Sequence, residues 1–395
     1  MRKIAVIGGK LQGTEACYLA KKAHWQVLLI DKEINIPARG LCDEFFLWDV
    51  NKEDEAFFHV LKNVDLILPA MENIEALESL SQYAKKLKIP FAFDQEAYQI
   101  SSSKIKSNQF FLKTLTPMPK LWPRASLPLV VKPSGSSGSE GVFKVSTLAE
   151  LNKLKEKPEI FDSWVVQEFV EGPSYSIEVI GLKGEYQAYQ VTDLEMDEHY
   201  DCKRVIAPAA LDHDLVQEFR QIGENLARRI HLQGLMDVEV ILHQGELKVL
   251  EIDARLPSQT PTVVYHSTGI NLVEVLGNSF IKGQLSLVEL PEEIKEPRGV
   301  IYEHVQVKEK CIKVTGEHIM GLTGSLSLIP DFFGADEAIT DYRPGQKDWV
   351  ATLINTGQTR EEAWKKRCRV IERITQELGI KEYIDLSPSL SQNKS

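Results

Sequence analysis

The chain has 395 residues, enough for two or three domains that each bury a core. Its hydrophobic content of 43% is ordinary for a globular protein, and its formal net charge of -11 at pH 7 excludes a general nucleic-acid surface. No apolar run approaches membrane-spanning length, and the five cysteines (Cys17, Cys42, Cys202, Cys311, Cys368) lack the spacing of a disulfide framework or a zinc site.

Ile4 to Ile7 predict an apolar strand, Gly8 to Gly13 a turn, Thr14 to Ala23 a helix, and Val27 to Ile30 a second strand ending at Asp31. The opening residues carry no signal-peptide core, so a cytoplasmic protein with no nucleic-acid or membrane partner is expected. Val64 to Pro69 predict a further buried strand, followed by Glu72, a helix to about Leu87 and a strand at Phe91 to Phe93. Strands alternating with helices indicate a parallel α/β sheet. Ser101 to Lys106 and Thr116-Pro117-Met118-Pro119 read as a transition. From there to about Ile180, short strands around one helix (Leu148 to Glu156) suggest a small α+β lobe. A helix from Asp214 to Ile230 leads into an acidic hairpin. Polar, proline-marked sequence near Leu290 to Arg298 marks another boundary. The last segment mixes strands with a helix at Glu361 to Leu378, where Lys365-Lys366-Arg367 is expected on a solvated face, and the tail from Ser387 is expected to fray.

The acidic hairpin is the most informative segment. Gly234 to Val240 and Leu247 to Arg255 flank a turn at His243-Gln244-Gly245-Glu246, which predicts an antiparallel pair. Alternation puts Glu251 and Asp253 on one face, and Asp237 and Glu239 on one face of the neighbouring strand. Carboxylates converging in this way repel, and a divalent cation is the usual remedy. Oxygen ligands without His or Cys point to magnesium or manganese bridging phosphates, with Arg255 placed for phosphate oxygens. A hairpin with a solvated acidic face is the plainer alternative.

Three other motifs bear on chemistry. Gly8-Gly9-Lys10-Leu11-Gln12-Gly13 joins a strand to a helix start, which suits an anion, but Lys10 stands where the dinucleotide fingerprint needs its second glycine. A small-molecule site using Lys10, Gln12 and Glu72 and simple tight packing of the glycines are equally compatible with it; Asp31 is a candidate for a ribose hydroxyl. Leu129 to Val142 delivers Lys132 from an apolar strand into a Gly/Ser loop whose amides suit phosphates, although no Walker signature ends it; a flexible linker has the same composition but would not sit between two short strands. Trp164 to Gly172 is a strand running into an extended segment suited to an adenine edge, although a surface strand with scattered acids is the commoner meaning of such a segment.

The order of these motifs resembles the ATP-grasp superfamily over about Met1 to Gly299: Lys104, then Lys132 with its glycine loop, then Gln167-Glu168-Phe169-Val170, then the acidic hairpin. The resemblance implies a Rossmann-like domain over 1–95, a two-lobed α+β ATP-grasp domain over 96–300 with its small lobe at about 118–182, and a small α+β domain over 301–395. It implies ATP and Mg2+ as cofactors, with Lys104, Lys132 and Ser139 on the nucleotide. Glu168 and the backbone of Phe169 and Val170 would hold adenine, with Glu171 or Glu178 near the ribose or the substrate. Glu239, Glu251 and Asp253 would ligate metal, Glu239 fitting the spacing better than Asp237. Lys132 and Arg255 would be catalytic.

Further segments resemble a narrower branch, the ligases of pyrrolysine biosynthesis that join 3-methyl-D-ornithine to L-lysine. They are the glycine turn, Tyr200-Asp201-Cys202, Gly234 to Glu239, Ile252 to Thr262, Gly269-Ile270-Asn271-Leu272 and Ile301-Tyr302-Glu303-His304. The resemblance implies that Ser176, Glu178, Arg255, Ser258, Gln259 and Thr260 hold 3-methyl-D-ornithine or D-ornithine. It also implies ligand contacts by Lys10, Leu11, Gln12, Glu72 and Glu303, with Asp31 and Asp49 beside them. Whether the first domain takes lysine, a nucleotide or both stays open. The expected reaction is amide formation through an acyl phosphate, consistent with the absence of a Ser-His or Cys-His pattern. Rival readings are another ATP-grasp amino-acid ligase and a nucleotide-binding protein without turnover.

Overall fold

The computed structural model describes residues 1–52, 55–135, 141–156, 163–288 and 297–388. Four parallel strands open it: β1 (Lys3–Ile7), β2 (Gln26–Asp31), β3 (Glu44–Leu47) and β4 (Leu66–Pro69), in the order β3-β2-β1-β4. The apolar runs of β1 and β2 are covered on both sides, as parallel strands require. Ile4, Val6, Val27 and Leu29 pack with α1 (Leu11–Lys22), while Ala5, Ile7, Leu28 and Ile30 pack with α2 (Glu55–Leu61) and α3 (Ile74–Leu87). Helix α1 starts three residues before the predicted Thr14, because the Thr14 amide already bonds back to the Lys10 carbonyl at 2.8 Å. The predicted strand Phe91 to Phe93 contracts to one bridge between Ile67 and Phe91.

The stretch read as a transition holds two helices, α4 (Gln95–Ser101) and α5 (Lys104–Thr114). Asp94 accepts from the Glu96 and Ala97 amides, and Ser103 from that of Lys106, so each helix has its own N-cap. The serine run between them has loop composition; its last member is a cap. Next come β5 (Leu129–Pro133), β6 (Phe143–Val145) and β7 (Trp164–Glu168), an antiparallel sheet with β5 in the centre. Helix α6 (Leu148–Lys155) begins with a capping box of Thr147 and Glu150.

One large sheet forms the rest. Its strands are β8 (Ser174–Leu182), β9 (Glu185–Ala188), β10 (Thr192–Met196), β11 (Cys202–Ala207), β12 (Gly234–His243), β13 (Glu246–Asp253), β14 (Gly299–Lys308), β15 (Cys311–Val314), β16 (Ser327–Pro330), β17 (Glu337–Thr340), β18 (Trp349–Gly357) and β19 (Glu382–Asp385). The main path runs β13-β12-β8-β10-β11-β14-β18-β17-β16, so it passes unbroken from the acidic hairpin into strands that follow residue 299. Helix α7 (His213–Ile230) covers one face, where Phe219, Leu226 and Ala227 meet Ile177, Val179, Met236 and Val238. On the other face Ile180, Leu235 and Val205 share a core with α1, α8 (Thr260–Thr268) and α9 (Leu272–Lys282). The short α10 (His318–Gly321) and the long α11 (Arg360–Leu378) complete the fold. The run Lys365-Lys366-Arg367 is not a uniformly solvated face. Lys366 pairs with Asp336 at 2.6 Å, and Arg367 is buried against Glu303 at 2.7 Å.

Candidate active site

Strand register builds the site. Glu178 of β8 stands opposite Asp237 of β12, which stands opposite Asp253 of β13; in the adjacent row Ser176, Glu239 and Glu251 are opposed. Opposed residues, and residues two apart, share a face. All six therefore point to one side, while Ile177, Val179, Met236, Val238 and Ile252 fill the core on the other. The alternation read from sequence places both hairpin pairs as expected. A bulge beyond Glu239 then breaks the hairpin register, so that Val240 faces Val249.

Three cations rim these rows. Lys104, the first residue of α5, reaches Glu251 at 2.6 Å. Arg255 bonds Asp253 at 3.1 Å and reaches across to Glu72 of the first unit at 2.8 Å. Glu72 also accepts from Gln12 at 2.8 Å, which ties the turn after β1 to the hairpin. Lys132, at the end of β5, is buried beside Glu251, Lys104 and Glu239, and burial lowers its pKa.

The carboxylates are costly where they stand. Burial, then Glu251 and Asp253, push Glu239 up to about 7. Asp237 and Asp253 are both raised, first by burial; Asp237 is raised further by Asp253, while Arg255 pulls against the rise at both. Glu178 is wholly buried and pushed up to about 7 by desolvation; its Oε1 accepts from Ser176 at 3.4 Å. Glu178 Oε2 and Asp237 Oδ1 are buried without any hydrogen-bond partner. Buried polar atoms are satisfied in most folded proteins, so two orphans in one row mark a place for a ligand.

The loop after Arg255 carries backbone strain. Gln259 has φ 76 and ψ -63, a tight γ-turn in which the Thr260 amide bonds the Ser258 carbonyl at 3.0 Å. Gln259 Oε1 and Thr260 Oγ1 are buried and unbonded. Thr260 lies close enough to Glu178 to pull its pKa down, yet makes no hydrogen bond of good geometry with it. Thus the loop from Arg255 to Thr260 runs beside the carboxylate rows, Arg255 touching Asp253 and Thr260 lying near Glu178, with Glu72 and Gln12 joined to them through Arg255.

Other expected residues lie elsewhere. Glu168 holds the Lys120 amide and the Lys248 ammonium, each at 3.2 Å; the Lys248 partner went unread because the bulge upsets simple alternation. The Phe169 amide is spent on Pro128 at 3.0 Å, and Lys144 sits 3.8 Å over the Phe169 ring. Glu171 is exposed and bonded through its backbone to His243. Asp31 accepts from the Gly9 amide at 2.8 Å, which ties the end of β2 to the turn after β1, and Asp49 accepts from the Asn51 amide at 3.1 Å in a local turn. Around them the glycines have a packing role. Gly8 has φ +102, and a Cβ on it would meet the Ala70 carbonyl at 2.6 Å. Lys10 is exposed at the start of α1 and Leu11 is half-buried. Glu303 is wholly buried against Arg204 and Arg367, on the sheet face opposite the carboxylate rows. Ser139 lies outside the described residues. Among the described residues, the ligand atoms of Asp197, Asp201 and His318 lie within 4.8 Å of one another; the hairpin carboxylates are spread wider, Glu251 being drawn to Lys104 and Asp253 to Arg255.

Residues 101–259 match the model of the ATP-grasp domain. The chain is 37% identical to the 3-methyl-D-ornithine–L-lysine ligase of Methanosarcina mazei, over 96% of this chain and 97% of the relative. The ligase of the same name from Methanosarcina acetivorans is 39% identical, over 93% and 96%. The chain belongs to the 3-methyl-D-ornithine–L-lysine ligase family. Its fold is also that of the biotin carboxylase domain of Hydrogenobacter thermophilus 2-oxoglutarate carboxylase, solved with MgADP. That match has a TM-score of 0.70 at 16% identity, over 94% of this chain and 89% of the other. The family's members are thus ATP-grasp ligases, and no helix among the described residues is long and apolar enough to cross a membrane.

Proposed function

We propose that this protein joins 3-methyl-D-ornithine to the ε-amine of L-lysine at the expense of ATP. The carboxyl of the ornithine is activated as an acyl phosphate and then taken by the amine. The observation that carries the reading is the double row of carboxylates, flanked by Lys104, Lys132 and Arg255, in a chain that matches those ligases over nearly its whole length.

Magnesium suits the donor set: all-oxygen, acidic and half-buried, beside a buried Asp237 Oδ1 that has no partner. Glu239, Glu251 and Asp253 would hold it, and it would supply charge neutralisation of the triphosphate. The chain's own groups do the positioning. Arg255, pinned between Glu72 and Asp253, presents a fixed guanidinium fork to phosphate or carboxylate oxygens. Lys132 brings an ammonium into a dry setting, where it stabilises developing negative charge more than it would in water. Glu168 and the backbone around Val170 would hold the adenine, and Ser176 with Glu178 would hold an ammonium of the ornithine. The acceptor amine must lose its proton before attack, because a free lysine ammonium titrates near pH 10.4.

The test is incubation of the protein with ATP, magnesium, L-lysine and 3-methyl-D-ornithine, with ADP and product mass as readouts. One ADP per amide-linked product is expected. ADP release with a different donor and acceptor, and none with this pair, transfers the chain to another amino-acid ligase; nucleotide binding with no turnover across the panel makes it a binding protein.

A further inference from the structure

Where α1, the loop before α8 and strands β14 and β18 meet, a cavity of about 20 Å³ is lined by Glu15, Ser258, Tyr302, His304, Glu317 and Thr352. A single water needs roughly 10–15 Å³ of such space, so the cavity fits one group of that size, such as an ammonium head. Its chemistry is lopsided. Two carboxylates face it; no ion pair to either is formed among the described residues, and the one cation near enough to act on Glu317 is Arg255, which lowers its pKa against the rise that burial causes. Glu15 accepts from the Thr262 amide at 2.6 Å, and Glu317 lies against Ser258 and Gln259. His304, 2% exposed, bonds Thr352 through Nδ1 at 2.9 Å and leaves Nε2 buried without a partner. Burial holds this imidazole neutral, pushing it down to about 3, so in the tautomer that gives its Nδ1 proton to Thr352 the free nitrogen is an acceptor. Burial also raises both acids, a penalty that a bound cation relieves.

Resting on the function proposed above, we infer that Glu15, Glu317 and His304 seat the α-ammonium group of the amine-donating amino acid. Lysine has two amines, and a ligase that acylates only one must hold the other. The cavity borders Ser258 on the loop that follows Arg255, so an α-ammonium seated there leaves the ε-amine as the end that reaches the activated carboxyl. None of the three residues belongs to the carboxylate rows.

The full chain is assayed with ATP, magnesium and 3-methyl-D-ornithine, using L-lysine or 6-aminohexanoate, which keeps the distal amine and lacks the α-ammonium. A hydrogen bond to a charged group is worth about 1.5–3 kcal/mol, or roughly 10- to 100-fold. Glu317→Gln should raise the KM for lysine by about that factor, leave the KM for 6-aminohexanoate unchanged and leave kcat within a few fold. Glu15→Gln should act in the same direction and serves if the first variant misfolds. Calorimetry should show the wild type binding lysine at least about 10-fold tighter than 6-aminohexanoate, with the gap closed in either variant. Equal effects on both compounds, or an unchanged lysine KM, overturn the seat. A wild type that binds lysine selectively yet turns over neither acceptor overturns the ligase reading instead, and the binding gap alone then decides the seat.

Discussion

Asp253 is pulled two ways. Across the hairpin it faces Asp237, which repels it, and along its own strand end it anchors Arg255 at 3.1 Å. Sites assembled for binding commonly trade stability for function. Asp253→Asn removes one charge from the crowded rows while Glu72 still holds Arg255. The expected outcome is a fall in kcat of about 100-fold or more together with a rise in Tm of a few degrees, read by ADP release and scanning calorimetry. Retained activity with a lower Tm would contradict this account. Lys132→Met keeps the length of the side chain without its charge, and kcat should fall by about 10²- to 10³-fold with circular dichroism unchanged. At this scale much was legible. Period-two alternation is local, so the pairing of Asp237 with Glu239 and of Glu251 with Asp253 could be read directly. The link from Glu72 to Arg255 spans separate units, and no local pattern encodes it.

Helices and strands impose their own demands. Helix α8 begins at Thr260 with no side chain of its own as a cap; the carboxylate of Glu15 on α1 accepts the Thr262 amide instead. Burial pushes Glu15 up to about 8, from an ordinary value of 4.5. The folded state therefore binds this proton more tightly than the unfolded state, and stability falls as pH rises from about 4.5 to about 8. The slope is at most about 1.4 kcal/mol per pH unit. Glu15→Gln keeps an oxygen acceptor and should flatten that part of the urea-unfolding profile; an unaltered slope would show that Glu15 is not its source. Glu303 tells of a different constraint. The motif that contains it resembled a ligand site, yet its carboxylate neutralises Arg204 of β11 and Arg367 of α11 in the interior. Glu303→Ala leaves two buried guanidiniums short of a partner and should cost about 3–5 kcal/mol in unfolding free energy, with the KM of surviving enzyme unmoved. A raised KM at normal stability would return it to the site. The sequence of a strand shows which residues share a face, but not which face meets the cleft.

For the whole molecule, alternation of strands with helices was enough to indicate the parallel sheet at the start, and the hairpin turn at Gly245 enough to pair β12 with β13. The large sheet was not legible as one object. Its joint, β11 with β14, couples Arg204 to Glu303 and Ala207 to Val300, partners about a hundred residues apart. Pairing over such separations depends on loop closure and on everything folded between, which a local window does not contain. That joint also fixes what can be removed. Ending the chain before Gly299 would strip β11 of its neighbour on that side and bare a ladder of amides and carbonyls along a strand that is otherwise buried, the kind of template on which other chains stack. Such a fragment should collect in the pellet, or elute as large aggregates on gel filtration, even though every residue of the carboxylate rows is still present. The last quarter of the protein is thus the selvedge that keeps the cloth from unravelling into its neighbours.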